Sequence, residues 1–233
     1  MGREHVGPSF PEHGYIRRRG RMTKAQARAH EQWSPTDLID AAHIAEHAGE
    51  HPIGIEIGFG MGQALLQWAA QEPDWRLYGI ELYQPGIGSL MDGLHRENLR
   101  NVLVVEVPAQ QVIAALPDAS VQEVRIFFPD PWPKKRHHKR RLIQPEFVDQ
   151  LARVLQADGV VRLATDWEPY AQWMRECFAA QPALAVIVDQ VRAAGDPEGD
   201  DLGRAPTKFE RRGQGLGHDI HDLAYARPGR ATP

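Results

Sequence analysis

Residues 127–141, FFPDPWPKKRHHKRR, gather one carboxylate, one indole ring and six lysine or arginine side chains into a single short stretch. The apolar residues 124–128 read as a buried strand, and Asp130 falls just past its end, between Pro129 and Pro131. A residue that precedes proline is pushed out of the helical region, so Asp130 is held extended at the strand tip. A carboxylate beside Trp132 suits a flat substrate that becomes cationic. The basic run, Lys134 and then Arg136, His137, His138, Lys139, Arg140 and Arg141, suits phosphates. Alone it would pass for a solvated face; beside Asp130 and Trp132 it points to chemistry on a nucleic-acid base.

A second group of residues could hold a nucleotide-like cofactor. The β-branched run at 53–57 ends in Glu56-Ile57-Gly58-Phe59-Gly60-Met61-Gly62, and a helical pattern follows at once. Glycines at 58, 60 and 62 let the backbone turn tightly and approach a ligand. A strand that feeds such a loop into a helix N-terminus is the usual ligand position of an open α/β sheet. Glu81, near the end of the next strand candidate, has the spacing at which an acid grips ribose hydroxyls. A dinucleotide prefers G-x-G-x-x-G; this chain has G-x-G-x-G with an acid two residues earlier. An acid there suits S-adenosylmethionine, which has a cationic end and no diphosphate. A turn without a ligand and a dehydrogenase that binds NAD are the competing readings.

Asp166 also sits at a predicted strand end, although a plain helix N-cap would explain it too. Thr207 and Glu210 have capping-box spacing, but no apolar helix follows them. His137 and His138 are adjacent and lack metal-ligand spacing, so no metal site is expected. Cys177 shares a helical face with Trp173 and reads as core.

These residues need a scaffold, and the pattern along the chain supplies one. Strand candidates at 53–57, 77–82, 102–106, 123–128 and 160–165 alternate with helix candidates at 62–71, 84–97, 109–116 and 145–156. A helix at 167–180 and strands at 184–190 and 222–227 complete the order, and a helix is predicted from Ser34-Pro35-Thr36-Asp37 to about residue 48. Alternation of this kind predicts a parallel sheet covered on both faces. Residues 1–33 read as a mobile, basic N-terminal arm carrying Arg17, Arg18, Arg19, Arg21 and Lys24, and 34–233 as one domain. Residues 193–219, polar and glycine-rich, read as a long loop.

The 233 residues are 42% hydrophobic and 25% charged, as in ordinary globular proteins. The net charge of −4 does not announce a polyanion partner; the local basic stripes do. A single cysteine excludes an intrachain disulfide. No stretch approaches a membrane span and no signal-like apolar core begins the chain, so a cytoplasmic protein is expected. Monomer and homodimer stay open.

The motifs, taken together, resemble the bacterial tRNA (guanine-N7-)-methyltransferase family. The matching pieces are residues 56–62, 79–81 with 85–88, 127–132, 136–141, 164–168, 207–210 and 212–213, in the expected order. The resemblance implies a Rossmann-like class I methyltransferase with a seven-stranded, mostly parallel sheet whose last strand is antiparallel. It implies methyl transfer from S-adenosylmethionine to N7 of guanine 46 in the tRNA variable loop. It further implies that Glu56, Gly58, Gly60, Gly62 and Glu81 bind the cofactor, with Asp130 as the active-site acid close to it. Lys134, Asp166, Thr207, Lys208, Phe209 and Glu210 would bind the guanosine. One departure stands out: where the family has an acid followed by alanine after the third strand, this chain has Pro108-Ala109. Pro108 would then line the adenine pocket, with backbone carbonyls or Glu106 as acceptors. An RNA-binding protein with an inactive methyltransferase core is the reading this departure favours.

Overall fold

A computed structural model of the chain describes residues 20–194, 210, 213 and 215–229. Its centre is β1 (Ile53–Ile57), every residue of which is buried. β2 (Arg76–Ile80) and β3 (Val102–Val105) lie on one side of it, and β4 (Val121–Phe127) and β5 (Leu155–Thr165) on the other. These five strands are parallel. β7 (Ile220–Ala226) inserts antiparallel between β5 and the edge strand β6 (Ala185–Arg192), giving the order β3-β2-β1-β4-β5-β7-β6. The seven strands and the antiparallel last one are those the motifs imply.

The helices cover both faces because each carries an apolar stripe. On one face α3 (Gln63–Gln71) and α4 (Gln84–Arg96) bury Leu65, Trp68, Ile87, Leu90 and Met91 against β1–β3. Gly54 makes room there: a Cβ on it would come within 2.5 Å of the Trp68 ring. On the other face α5 (Ala109–Ala115), α6 (Pro145–Val154) and α7 (Glu168–Ala179) bury Val112, Phe147, Leu151, Tyr170 and Phe178. Cys177 belongs to this core, and burial pushes its thiol up to about 12, which leaves it inert as a nucleophile at neutral pH.

Apart from shifts of one or two residues, such as β2 stopping at Ile80 rather than 82 and β4 at Phe127 rather than 128, two boundaries differ from the sequence expectation. Helix α1 (Lys24–Asp37) occupies residues that the basic-arm reading assigned to the arm, and a shorter α2 (Ala41–Glu46) follows. Thr23 and Gln26 form a capping box at the start of α1, so the helix begins there, and Pro35 lies inside its last turn. Trp33 stacks on His95 of α4 with ring centroids 3.4 Å apart, and Asp37 pairs with His95 Nε2 at 2.9 Å. The second difference is the end of α6. Leu155 and Gln156 leave the helix and begin β5, paired to β4 through Val121. Among the described residues no helix is long and apolar enough to cross a membrane.

Candidate active site

The strand order reverses between β1 and β4, where β2 lies on one side of β1 and β5 on the far side of β4. Open α/β sheets bind ligands at the carboxyl ends of the strands at such a reversal. The predicted residues gather at that edge. The glycine loop leaves β1, Glu81 follows β2, Pro108 follows β3, Asp130 follows β4 and Asp166 follows β5. A separate hollow of about 320 Å³, lined by His43, His47, His51 and Arg76, contains none of these residues.

The loop after β1 is shaped by three positive backbone angles, with φ of 74° at Gly58, 58° at Gly60 and 84° at Gly62. L side chains rarely adopt such angles, which is why glycine is required. A Cβ on Gly58 would meet nothing within 4 Å, so the loop faces open space there. Glu81 ties the loop to β2. Its carboxylate accepts from Gly60 N at 3.0 Å, Leu82 N at 2.7 Å and Tyr83 N at 3.0 Å. A carboxylate offers about four acceptor sites, so roughly one remains for a ligand hydroxyl. Gripping a second hydroxyl requires release of the Gly60 N–H. Glu56 is buried at the end of β1 below the loop. These features fit a ribose and a cationic amino-acid end. Pro108 is the N-cap of α5 and its carbonyl accepts from Gln111 N and Val112 N, so that oxygen is already engaged. Glu106 accepts from Gln84 Nε2 at 3.2 Å, beside the start of α4.

Past β4 the backbone is strained. Phe128 has φ 51° and Trp132 has φ 45°, values that bulky residues avoid, and such outliers cluster at functional sites. Phe128 N is held by Ala164 O at 2.8 Å, and Asp130 is exposed at the tip. A 3₁₀ turn, Lys135–Arg140, follows. Lys134, Lys135, Arg136 and Lys139 are exposed, whereas His137, His138 and Arg140 are half-buried. Trp132 is enclosed by this turn: Arg140 lies 5.1 Å from its ring centre and His137 meets it edge-on at 5.7 Å. The positive neighbours and local desolvation lower the His137 pKa; desolvation leads, followed by Arg140, Arg136 and Lys134. Arg141 departs from the expected RNA-facing role. It is 3% exposed and donates from Nε to Pro131 O at 2.9 Å.

At β5 the N-cap alternative for Asp166 does not hold. The N-cap of α7 is Trp167 without a side-chain cap, and the Trp167 N–H is met by Thr165 Oγ1. The Asp166 carboxylate instead lies 3.5 Å from His218 Nδ1, and a Cβ on Gly213 would approach its Oδ2 to 2.8 Å. Sequence reading missed His218; its signal was the short step from Gly213, already matched in the motifs, to the start of β7. Glu210 is buried, and its carboxylate accepts from Arg192 Nη2 at 2.8 Å while Asp222 takes the Arg192 Nε–H. Burial disfavours the Arg192 charge, but the bonds and charges of Asp222 and Glu210 outweigh it and raise its pKa. Thr207, Lys208 and Phe209 lie outside the described residues.

The family model described as "Putative methyltransferase" matches residues 50–223. The tRNA (guanine-N(7)-)-methyltransferase of Nitrosococcus oceani is 43% identical over 96% of this chain and 95% of its own length. The protein of the same name from Idiomarina loihiensis is 41% identical over 94% of this chain and 90% of its own. Among solved structures, a 16S rRNA (adenine(1408)-N(1))-methyltransferase from Catenulisporales acidiphilia superposes with a TM-score of 0.55 at 18% identity. That match covers 84% of this chain and 94% of the other, and it shows a shared fold.

Proposed function

Because the chain belongs to the family of bacterial tRNA (guanine-N(7)-)-methyltransferases, we propose that it moves a methyl group from S-adenosylmethionine to N7 of guanine 46 in the tRNA variable loop. The observation that carries the reading is the gathering of the glycine loop, Glu81, Asp130, Asp166 and an exposed basic turn at one edge of the sheet. Neither the dehydrogenase nor the inactive-core reading is favoured by relatives that are themselves methyltransferases.

When bound, S-adenosylmethionine supplies an electrophilic methyl group on a cationic sulfur. Glu56 would face its amino-acid end, Glu81 would accept from the ribose, and Pro108 would line the adenine side. Guanine N7 has an in-plane lone pair, so the protein needs no base to create a nucleophile. Its tasks are alignment of N7 and stabilisation of the charge that moves onto the purine. Asp130 takes the second task. Asp166, Lys134 and Thr207 to Glu210 hold the guanosine, where a carboxylate can accept from N1–H and the 2-amino group. The exposed basic turn takes tRNA phosphates, and a cytoplasmic location follows from that substrate. Transfer of labelled methyl to tRNA should create a single site that reduction and aniline cleave at position 46. Label without a cleavable site would move the reaction to another atom.

The basic surface has its own expected result. Replacing Lys135, Arg136 and Lys139 together by Ala should weaken tRNA binding and flatten its salt dependence by roughly 0.7–0.9 for each phosphate no longer neutralised. Cofactor affinity should hold. An unchanged salt slope would place the RNA elsewhere, for example on the cluster Arg17, Arg18, Arg19 and Arg21.

A further inference from the structure

Arg141 is the member of the basic run that turns inward, and what it touches lies next to the reaction. Its Nε–H donates to the carbonyl of Pro131, the residue after Asp130, at 2.9 Å. Its guanidinium lies 4.8 Å from the centre of the Tyr170 ring, and its backbone N–H donates to His138 O at 3.0 Å. Tyr170 is fully buried on α7, one turn beyond Asp166, and its hydroxyl accepts from Ile143 N at 3.2 Å. Gln144 closes the same turn through His138 O at 2.9 Å. The Asp130 loop carries few backbone donors of its own, because Pro129, Pro131 and Pro133 lack N–H groups. The positive φ at Phe128 and Trp132 on either side is costly, and such strain persists only where the surroundings fix it. Desolvation lowers the Arg141 pKa, so burying this cation is itself unfavourable. A cation buried there for charge alone would be poorly used; the planar Nε–H aimed at a carbonyl gives it a geometric task.

We infer that Arg141 is a positioning residue for methyl transfer: it fixes Asp130 through the Pro131 carbonyl and, through Tyr170, ties that loop to the helix that follows Asp166. This rests on the assignment of Asp130 proposed above. The test is single-turnover methyl transfer at saturating tRNA and S-adenosylmethionine by Arg141→Gln, Asp130→Asn and the double variant, with tRNA affinity measured across salt. Arg141→Gln should slow transfer by about 10²-fold, the scale of a 1 Å misplacement, and leave the salt slope unchanged. In the Asp130→Asn background the same change should slow transfer by less than about threefold, since residues acting as a unit are not additive. Arg141→Lys, which keeps the cation but not the fork, should fall between and serves if the Gln variant does not fold. A flattened salt slope with an intact saturated rate would make Arg141 a phosphate contact and overturn the inference. So would full additivity with Asp130→Asn. A wild-type rate for Asp130→Asn alone would overturn both this inference and the assignment beneath it, whereas additivity overturns only the inference.

Discussion

Asp130→Asn should slow methyl transfer by about 10²–10³-fold, the usual cost of losing one preorganised electrostatic partner, while tRNA affinity is kept. The substitution preserves shape and hydrogen-bonding capacity and removes only the negative charge. Charge develops on guanine as N7 is methylated, so a fixed carboxylate favours the transition state over the ground state. The loop around Asp130 is built to hold a group in place: positive φ at Phe128 and Trp132, Phe128 N on Ala164 O, and the Arg141 bond to Pro131 O. A residue serving only the turn would tolerate the change, because Asn and Asp serve turns alike. Single-turnover kinetics at saturating cofactor separate the two. A rate within about threefold of wild type, far short of the expected electrostatic loss, would shift the central role to Asp166, which His218 faces at 3.5 Å.

The strand-tip acids were legible because glycine and proline punctuate the sequence around them. Gly58, Gly60 and Gly62 mark a turn that only glycine makes, and Pro129 and Pro131 mark a strand end that cannot slide into helix. What periodicity could not show is direction. Arg136 and Arg141 are alike in type and lie in one basic run, yet Arg136 is exposed and Arg141 is buried against Pro131 O and Tyr170. The tight 3₁₀ turn between them sets which side each faces, and nothing in the residue types announces that turn. Helix α1 was hidden for a different reason. Ser34-Pro35 looks like a helix start, but Thr23 and Gln26 cap the helix earlier and Pro35 falls in its last turn. The pairing of Asp166 with His218 depends on β7 returning antiparallel beside β5, and the short step from Gly213 to β7 is the one trace of it in the sequence. Long-range pairing of that kind leaves no local periodicity.

Gly86→Ala should cost about 5–150-fold in S-adenosylmethionine affinity, the equivalent of the roughly 1–3 kcal/mol that overpacking costs. Gly86 lies in the first turn of α4, and a Cβ there would collide with the Gly60 carbonyl oxygen and come within 3.0 Å of its carbon. That neighbour is backbone and cannot rotate away as a side chain would. Either α4 retreats or the glycine loop moves, and the loop is also held by the bond from Gly60 N to Glu81. Moving it disturbs both the open space above Gly58 and the acceptor geometry of Glu81. Gly88→Ala provides the control. Its Cβ would collide with Gln26 O, so it separates α1 from α4 without pressing on the glycine loop. Both variants should melt at lower temperature than wild type, but only Gly86→Ala should weaken the cofactor in calorimetry performed below either transition. Equal cofactor affinities in the two variants would mean that the loop does not shape the cofactor site, and that the close approach of α4 to Gly60 serves packing alone.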